Sequence, residues 1–182
     1  MHPLSLLYLS IKKTLYLDTS HHNIFKNSVT MVSNFYIDDV LKSFPNFKGT
    51  FSSNNIPILE NEESVICNFS KVGEEGTHFI FITLQEGNLY YFDSLNLSFI
   101  PKDVTSYFSS YKNVVILSKR IQHTNSSFCG FYCILAFLAC NFNIFFFTNN
   151  ILNVFKEPSF ENDTICIKLI QCLFPLSLCK MK

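Results

Sequence analysis

The 182-residue chain has no tryptophan, only five glycines and six prolines, and only 15% charged residues. With 48% hydrophobic residues against so little charge, disorder is excluded, and the length fits one domain with a real core. Neither sign of charge is in excess: Lys+Arg and Asp+Glu both number 14. No net field therefore recruits nucleic acid or an anionic membrane, and no basic run exceeds Lys12-Lys13 or Lys119-Arg120. There is no internal repeat, no flexible linker and no CxxC. The cysteines, Cys67, Cys129, Cys133, Cys140, Cys166, Cys172 and Cys179, are odd in number and lack framework or zinc-knuckle spacing. That pattern argues against a disulfide scaffold, a structural metal or any cofactor, and for a reducing, intracellular compartment. Long apolar runs are missing as well. Residues 128 to 147 are interrupted by Asn141 and Asn143, which leaves about three turns of core helix instead of the roughly 20 residues of a span. "PLSLLYL" near the N-terminus is too short for a signal peptide, and its lysines follow it. A soluble protein without membrane contact is expected.

Residues 1–30 carry weak, mixed signals and read as an N-terminal extension to a single domain over 31–182. Ile37, Val40, Leu41 and Phe44 fall at i, i+3, i+4 and i+7 after Ser33 or Asn34, predicting a capped helix up to Pro45. "NFKGTFSSNNIP" reads as a loop. "VICNF", "THFIFITL", "LYYF" and "VVIL" read as strands, and Pro101 opens a helix presenting Val104, Tyr107, Phe108 and Tyr111. Helices are expected from Cys129, near 144–156 and near 162–174. Strands in the middle with helices on both sides predict an α+β fold, its central sheet mostly antiparallel and flanked by helices.

Two segments carry candidate chemistry. In "GTHFIFITLQEGNLYYFDSLN", a turn centred between Gln85 and Glu86 pairs Phe81 with Tyr90, Phe79 with Phe92, and His78 with Asp93. Directly opposed side chains lie about 5 Å apart at Cβ, close enough for a carboxylate to fix an imidazole tautomer and stabilise its protonated form. A tighter turn at Gly87-Asn88 places Ile82 opposite Asp93 instead, and a His and an Asp that merely cap strand ends remain the plain alternative. In "QHTNSSFCGFYC", Cys129 stands where a polar loop becomes a helix, and unpaired N–H groups there favour a thiolate. Gly130 removes bulk beside the sulfur, so that a substrate backbone can approach. Gln122 lies seven residues before Cys129, on a loop that can return its amide to an oxyanion, with the Cys129 N–H as second donor. Buried free cysteine is common, and Cys133 and Cys140 read as packing.

The order His, Asp, Gln, Cys-Gly resembles the clan of cysteine proteases that holds the adenovirus maturation protease (adenain) and the deSUMOylating Ulp1/SENP proteases. The adenain-like proteases of adenoviruses, Polinton/Maverick elements and adintoviruses are the nearer match. "GTHFIFI…YYFDSLN" resembles their "GTHW…YFDS", and "QHTNSSFCGFYC" their "Q…CG.YC", with six residues between Gln and Cys. The similarity runs from about Met31 to the C-terminus. It implies a papain-like/Ulp1-like fold with the nucleophile at the N-terminus of a buried helix. It further implies Cys129 as nucleophile, His78 as general base, Asp93 orienting His78, and Gln122 in the oxyanion hole. Virion precursor proteins cut at Gly-containing sites are the implied substrates, in the host nucleus or cytoplasm or in the virion. Phe79 departs from the pattern, standing where the family usually has Trp. An activating peptide and DNA belong to the family pattern, but no cysteine lies between Asp93 and Gln122 to tether the peptide, and the neutral chain gives DNA no support. Two other readings share these residues: a protease specific for SUMO- or ubiquitin-like proteins, and an inactive integrated viral copy that kept the fold.

Overall fold

The computed structural model describes residues 32–180, with side chains to residue 176; the expected N-terminal extension lies outside the described residues. The first element, α1 (Asn34–Leu41), is capped by Ser33, whose Oγ accepts from the Tyr36 N–H at 3.2 Å. Ile37 and Leu41 are buried on its inner face, as the helical spacing predicts.

Five strands follow: β1 (Phe47–Ser52), β2 (Ser64–Asn68), β3 (Phe79–Gln85), β4 (Asn88–Phe92) and β5 (Val114–Leu117). They form one sheet in the order β1-β2-β3-β4-β5. The β2–β3 and β3–β4 pairs are antiparallel, whereas β1–β2 and β4–β5 are parallel. The sheet is thus mixed and not mostly antiparallel. The four predicted strands are present, and β1 occupies the stretch read as a loop. Its residues are mostly half-buried, with Gly49 and two hydroxyl side chains among them, so it shows no apolar alternation to read.

Helices cover both faces of this sheet. On one, Ile66, Phe79, Phe81 and Phe92 pack with α1, α3 (Cys129–Cys140) and α5 (Glu161–Lys180). On the other, Val65, Ile80, Ile82 and Tyr91 pack with Val104 and Tyr107 of α2 (Lys102–Phe108). Period-two alternation explains the split, since neighbouring strand residues point to opposite faces. Pro101 precedes α2, as expected. Asn143 caps the short α4 (Ile144–Phe146), accepting from Phe146 N, and the chain continues through a π-helical turn (Phe147–Ile151) and a 3-10 turn (Leu152–Val154). The predicted helix at 144–156 is therefore three short pieces. Among the described residues no helix is long and apolar enough to cross a membrane.

Candidate active site

The site begins at the β3–β4 hairpin. Gln85 pairs with Asn88, leaving a two-residue turn with Glu86 at φ 51° and Gly87 at φ 73°. Two positive φ values give the twist that matches a tight hairpin. The register therefore differs from the one expected: Phe81 faces Phe92, not Tyr90, and continuing it past the strand ends puts His78 diagonal to Asp93 instead of opposite. The slip preserves the face to which each side chain points, and a diagonal neighbour stays within reach of a long side chain. His78 Nε2 and Asp93 Oδ1 are 2.7 Å apart, and both residues are buried. Asp93 Oδ1 also accepts from Leu95 N, and Oδ2 from Leu97 N, each at 2.9 Å.

The approach to His78 is braced from β2. Asn68 Oδ1 accepts from Ser70 N at 3.0 Å and Thr77 N at 3.3 Å, and Phe69 N donates to His78 O at 2.9 Å. The Phe69 ring packs edge-on against the imidazole with centroids 5.1 Å apart. A Cβ on Gly76 would lie 2.5 Å from Asn68 Nδ2, closer than atoms pack. Gly76→Ala must expel this buried amide and release Thr77. The expected result is a loss of about 1–3 kcal/mol in unfolding free energy, measured by urea titration.

Cys129 is the first residue of α3 and acts on the same imidazole. Burial alone would lower the His78 pKa, but hydrogen bonding and charge from Asp93 and Cys129 outweigh it and raise the value to about 9. Burial would raise the Asp93 pKa, yet the His78 contact and the Leu97 and Leu95 amides hold it below the usual carboxylate range. With Nε2 committed to Asp93, Nδ1 is the ring nitrogen left to serve the sulfur. No side chain caps α3, and first-turn N–H groups lack intrahelical acceptors by construction. Cys133, Cys140 and Cys166 are packed in the core, where burial pushes their thiols up. Cys129, by contrast, lines a cavity of about 470 Å³ together with Phe35, Asp38, Thr77, Phe79 and Ser127.

Gly130 also serves packing. A Cβ there would sit 3.2 Å from Val32 Cβ and 3.4 Å from Ile37 Cδ1. The missing side chain makes room for Val32 and α1 against α3.

Gln122 is fully buried on the loop before Cys129. Its Oε1 accepts from Ser94 Oγ at 2.6 Å, and its Nε2 donates to Ser126 O at 2.7 Å. Its backbone N–H donates to Ser94 O at 2.9 Å, so the residue after Asp93 anchors the loop that leads to Cys129. Nε2 also lies 3.5 Å from Ser126 Oγ, and the amide is held in one orientation. The structure thus pairs His78 with Asp93, sets Cys129 beside the imidazole and seats Gln122 on the adjoining loop; Cys129 lines the cavity, and His78, Asp93 and Gln122 are not among its lining residues. Ser94 and Asn68, neither singled out from sequence, complete the support. Their only sequence signal is adjacency: Ser94 follows Asp93, and Asn68 ends the strand beside β3.

Among the described residues no group of three or more His, Cys, Asp or Glu side chains is arranged to hold a metal ion. Chemically, the arrangement offers a sulfur nucleophile, an imidazole able to hold a proton between two acceptors, and N–H donors at the start of a helix. No protein-family model matches the chain, and no curated protein sequence is significantly similar to it.

Proposed function

We propose that this protein is a cysteine endopeptidase of adenain type that cuts virion precursor polypeptides at Gly-containing sites. The observation that carries the reading is the buried imidazole of His78, held 2.7 Å from Asp93, beside Cys129, which itself lines a cavity of about 470 Å³. In this mechanism the thiol proton passes to His78, and the sulfur attacks the scissile carbonyl carbon. The carbonyl π pair moves onto oxygen, where the Cys129 N–H receives it, with the Gln122 amide of the adjoining loop as the second donor the resemblance implies. Collapse breaks the C–N bond as the imidazolium protonates the leaving amine, leaving a thioester on Cys129. Water, deprotonated by His78, then attacks the thioester and releases the acid and the thiol. Asp93 keeps the imidazole in one tautomer and stabilises its charged form.

Incubation with Gly-containing precursor peptides, and separately with ubiquitin-like proteins carrying a C-terminal electrophile, tests the reading. Peptide cleavage that stops when Cys129 is alkylated supports it. Labelling by the ubiquitin-like reagents without peptide cleavage replaces it with the deubiquitinase-like reading, and absence of both defeats the enzyme altogether.

The acylation rate should fall as pH rises through about 9, because His78 then has no proton for the leaving amine. Stability should follow the same direction. A raised pKa contributes stability that is complete below the ordinary histidine value, about 6.5, and is lost as pH climbs through the folded value. Single-turnover acylation and urea unfolding between roughly pH 6 and 10 read both effects. Flat profiles across that window would contradict the charged dyad.

A further inference from the structure

The loop carrying Gln122 and delivering Cys129 is also gripped from outside the hairpin, by the start of α5. Asn162 Nδ2 donates to Ile121 O at 2.7 Å, fixing the residue before Gln122. Asp163, 8% exposed, accepts from Ser126 Oγ at 2.8 Å and from Tyr132 OH at 3.0 Å. Ser126 is the residue whose carbonyl receives the Gln122 amide, and its Oγ also accepts from Phe128 N at 3.2 Å. Tyr132 lies one turn into α3 from Cys129. One carboxylate therefore ties the loop bearing Gln122 to the helix bearing the nucleophile, with one oxygen on each.

We infer that Asp163 is a positioning residue that sets the oxyanion site, through Ser126 and Gln122, while leaving activation of the sulfur to His78 and Asp93. The inference rests on the endopeptidase reading above. Two features make a carboxylate suited to this place. Ser126 Oγ already accepts a hydrogen bond from Phe128 N, so its own proton needs a pure acceptor. Tyr132 OH donates to the other oxygen, and a carboxylate offers both acceptors without a donor. An asparagine keeps the shape but replaces two charged acceptors by one neutral acceptor and a donor, which weakens the tie between loop and helix. The half-buried loop is then held less firmly and shifts. A shift of the order of 1 Å at the oxyanion site costs up to about 100-fold in rate.

The test separates reactions that develop an oxyanion from one that does not. Peptide acylation and hemithioacetal formation with a peptide aldehyde both place negative charge on the former carbonyl oxygen. Alkylation by iodoacetamide displaces iodide from a saturated carbon and creates no oxyanion. For Asp163→Asn, kcat for peptide cleavage and affinity for the aldehyde are expected to fall at least about 10-fold, with KM little changed. The alkylation rate of Cys129 should stay within about twofold of wild type, because the dyad that activates the sulfur is untouched. If Asp163→Asn does not fold, Ser126→Ala cuts the same link from the loop side and is read the same way. Equal losses in all three reactions, or no loss in any, overturn the positioning role. Wild-type protein that neither cleaves peptide nor binds aldehyde overturns the endopeptidase reading and the role with it. A fully active wild type with an indistinguishable Asp163→Asn overturns the role alone.

Discussion

Replacing Cys129 or His78 by alanine is expected to lower kcat/KM for peptide cleavage about 10⁴-fold or more, and replacing both should cost little beyond the larger single loss. The reason is that the two act as one unit. The sulfur needs the imidazole to take its proton, and the imidazolium has no amine to protonate unless a sulfur adduct has formed. Neither change should unfold the chain. Cys129→Ala deletes one sulfur at the cavity wall, and His78→Ala leaves the Asp93 carboxylate still bonded to the Leu95 and Leu97 amides. A double-mutant cycle on kcat/KM, with thermal unfolding as control, measures the coupling. Strictly additive losses, or cleavage that survives Cys129→Ala, would show that the two residues do not share a mechanism.

Asp93→Asn should be nearly as severe, at about 10²- to 10⁴-fold in kcat, and should leave a second trace in the pH profile. Asp93 gives Oδ1 to His78 and Leu95 and Oδ2 to Leu97. An asparagine either faces its NH2 toward the Leu97 N–H, donor against donor, or turns it toward the imidazole and disfavours the protonated ring. With the charge gone, burial is the dominant influence left on His78, and burial lowers its pKa. The alkaline fall in acylation should therefore move to lower pH. Stability gives a separate sign. The Asp93 pKa is depressed, so its contribution is present above the ordinary carboxylate range, about 3.9, and is lost as pH falls through the folded value. Urea unfolding should show wild type well above Asp93→Asn near pH 7, with the gap closing near pH 2. An unchanged alkaline limb would mean that Asp93 does not govern the imidazole.

The elements that sequence predicts best here are those whose pattern is local. β2, β3, β4 and β5 announce themselves as apolar runs between polar breaks, and α1 by the spacing of Ile37, Leu41 and Phe44. The hairpin turn is harder. A glutamate in the left-handed region at residue 86 runs against ordinary preference, so Gly87 alone suggests a longer loop than the one formed. The pair survives the tighter turn because the observed register still points His78 and Asp93 to the same face. Cys129 was legible from its place at a loop–helix junction, whereas the packing of Val32 and Ile37 against Gly130 was not. Asp163 was not legible, since it meets Ser126 across 37 residues and no local pattern encodes such a contact. The parallel seams of the sheet were hidden likewise, because pairing of β1 with β2 depends on where an eleven-residue connection (53–63) returns the chain.

The tight β3–β4 turn also bears on the order in which the protein acquires its chemistry. A hairpin closed by two residues pays little loop entropy and forms on the microsecond scale, so His78 and Asp93 meet through contacts close in sequence. The sulfur comes from α3, at a longer sequence separation across α2 and β5, so contact order favours its arrival after the hairpin. A nascent or half-folded chain thus holds a paired histidine but no companion thiol.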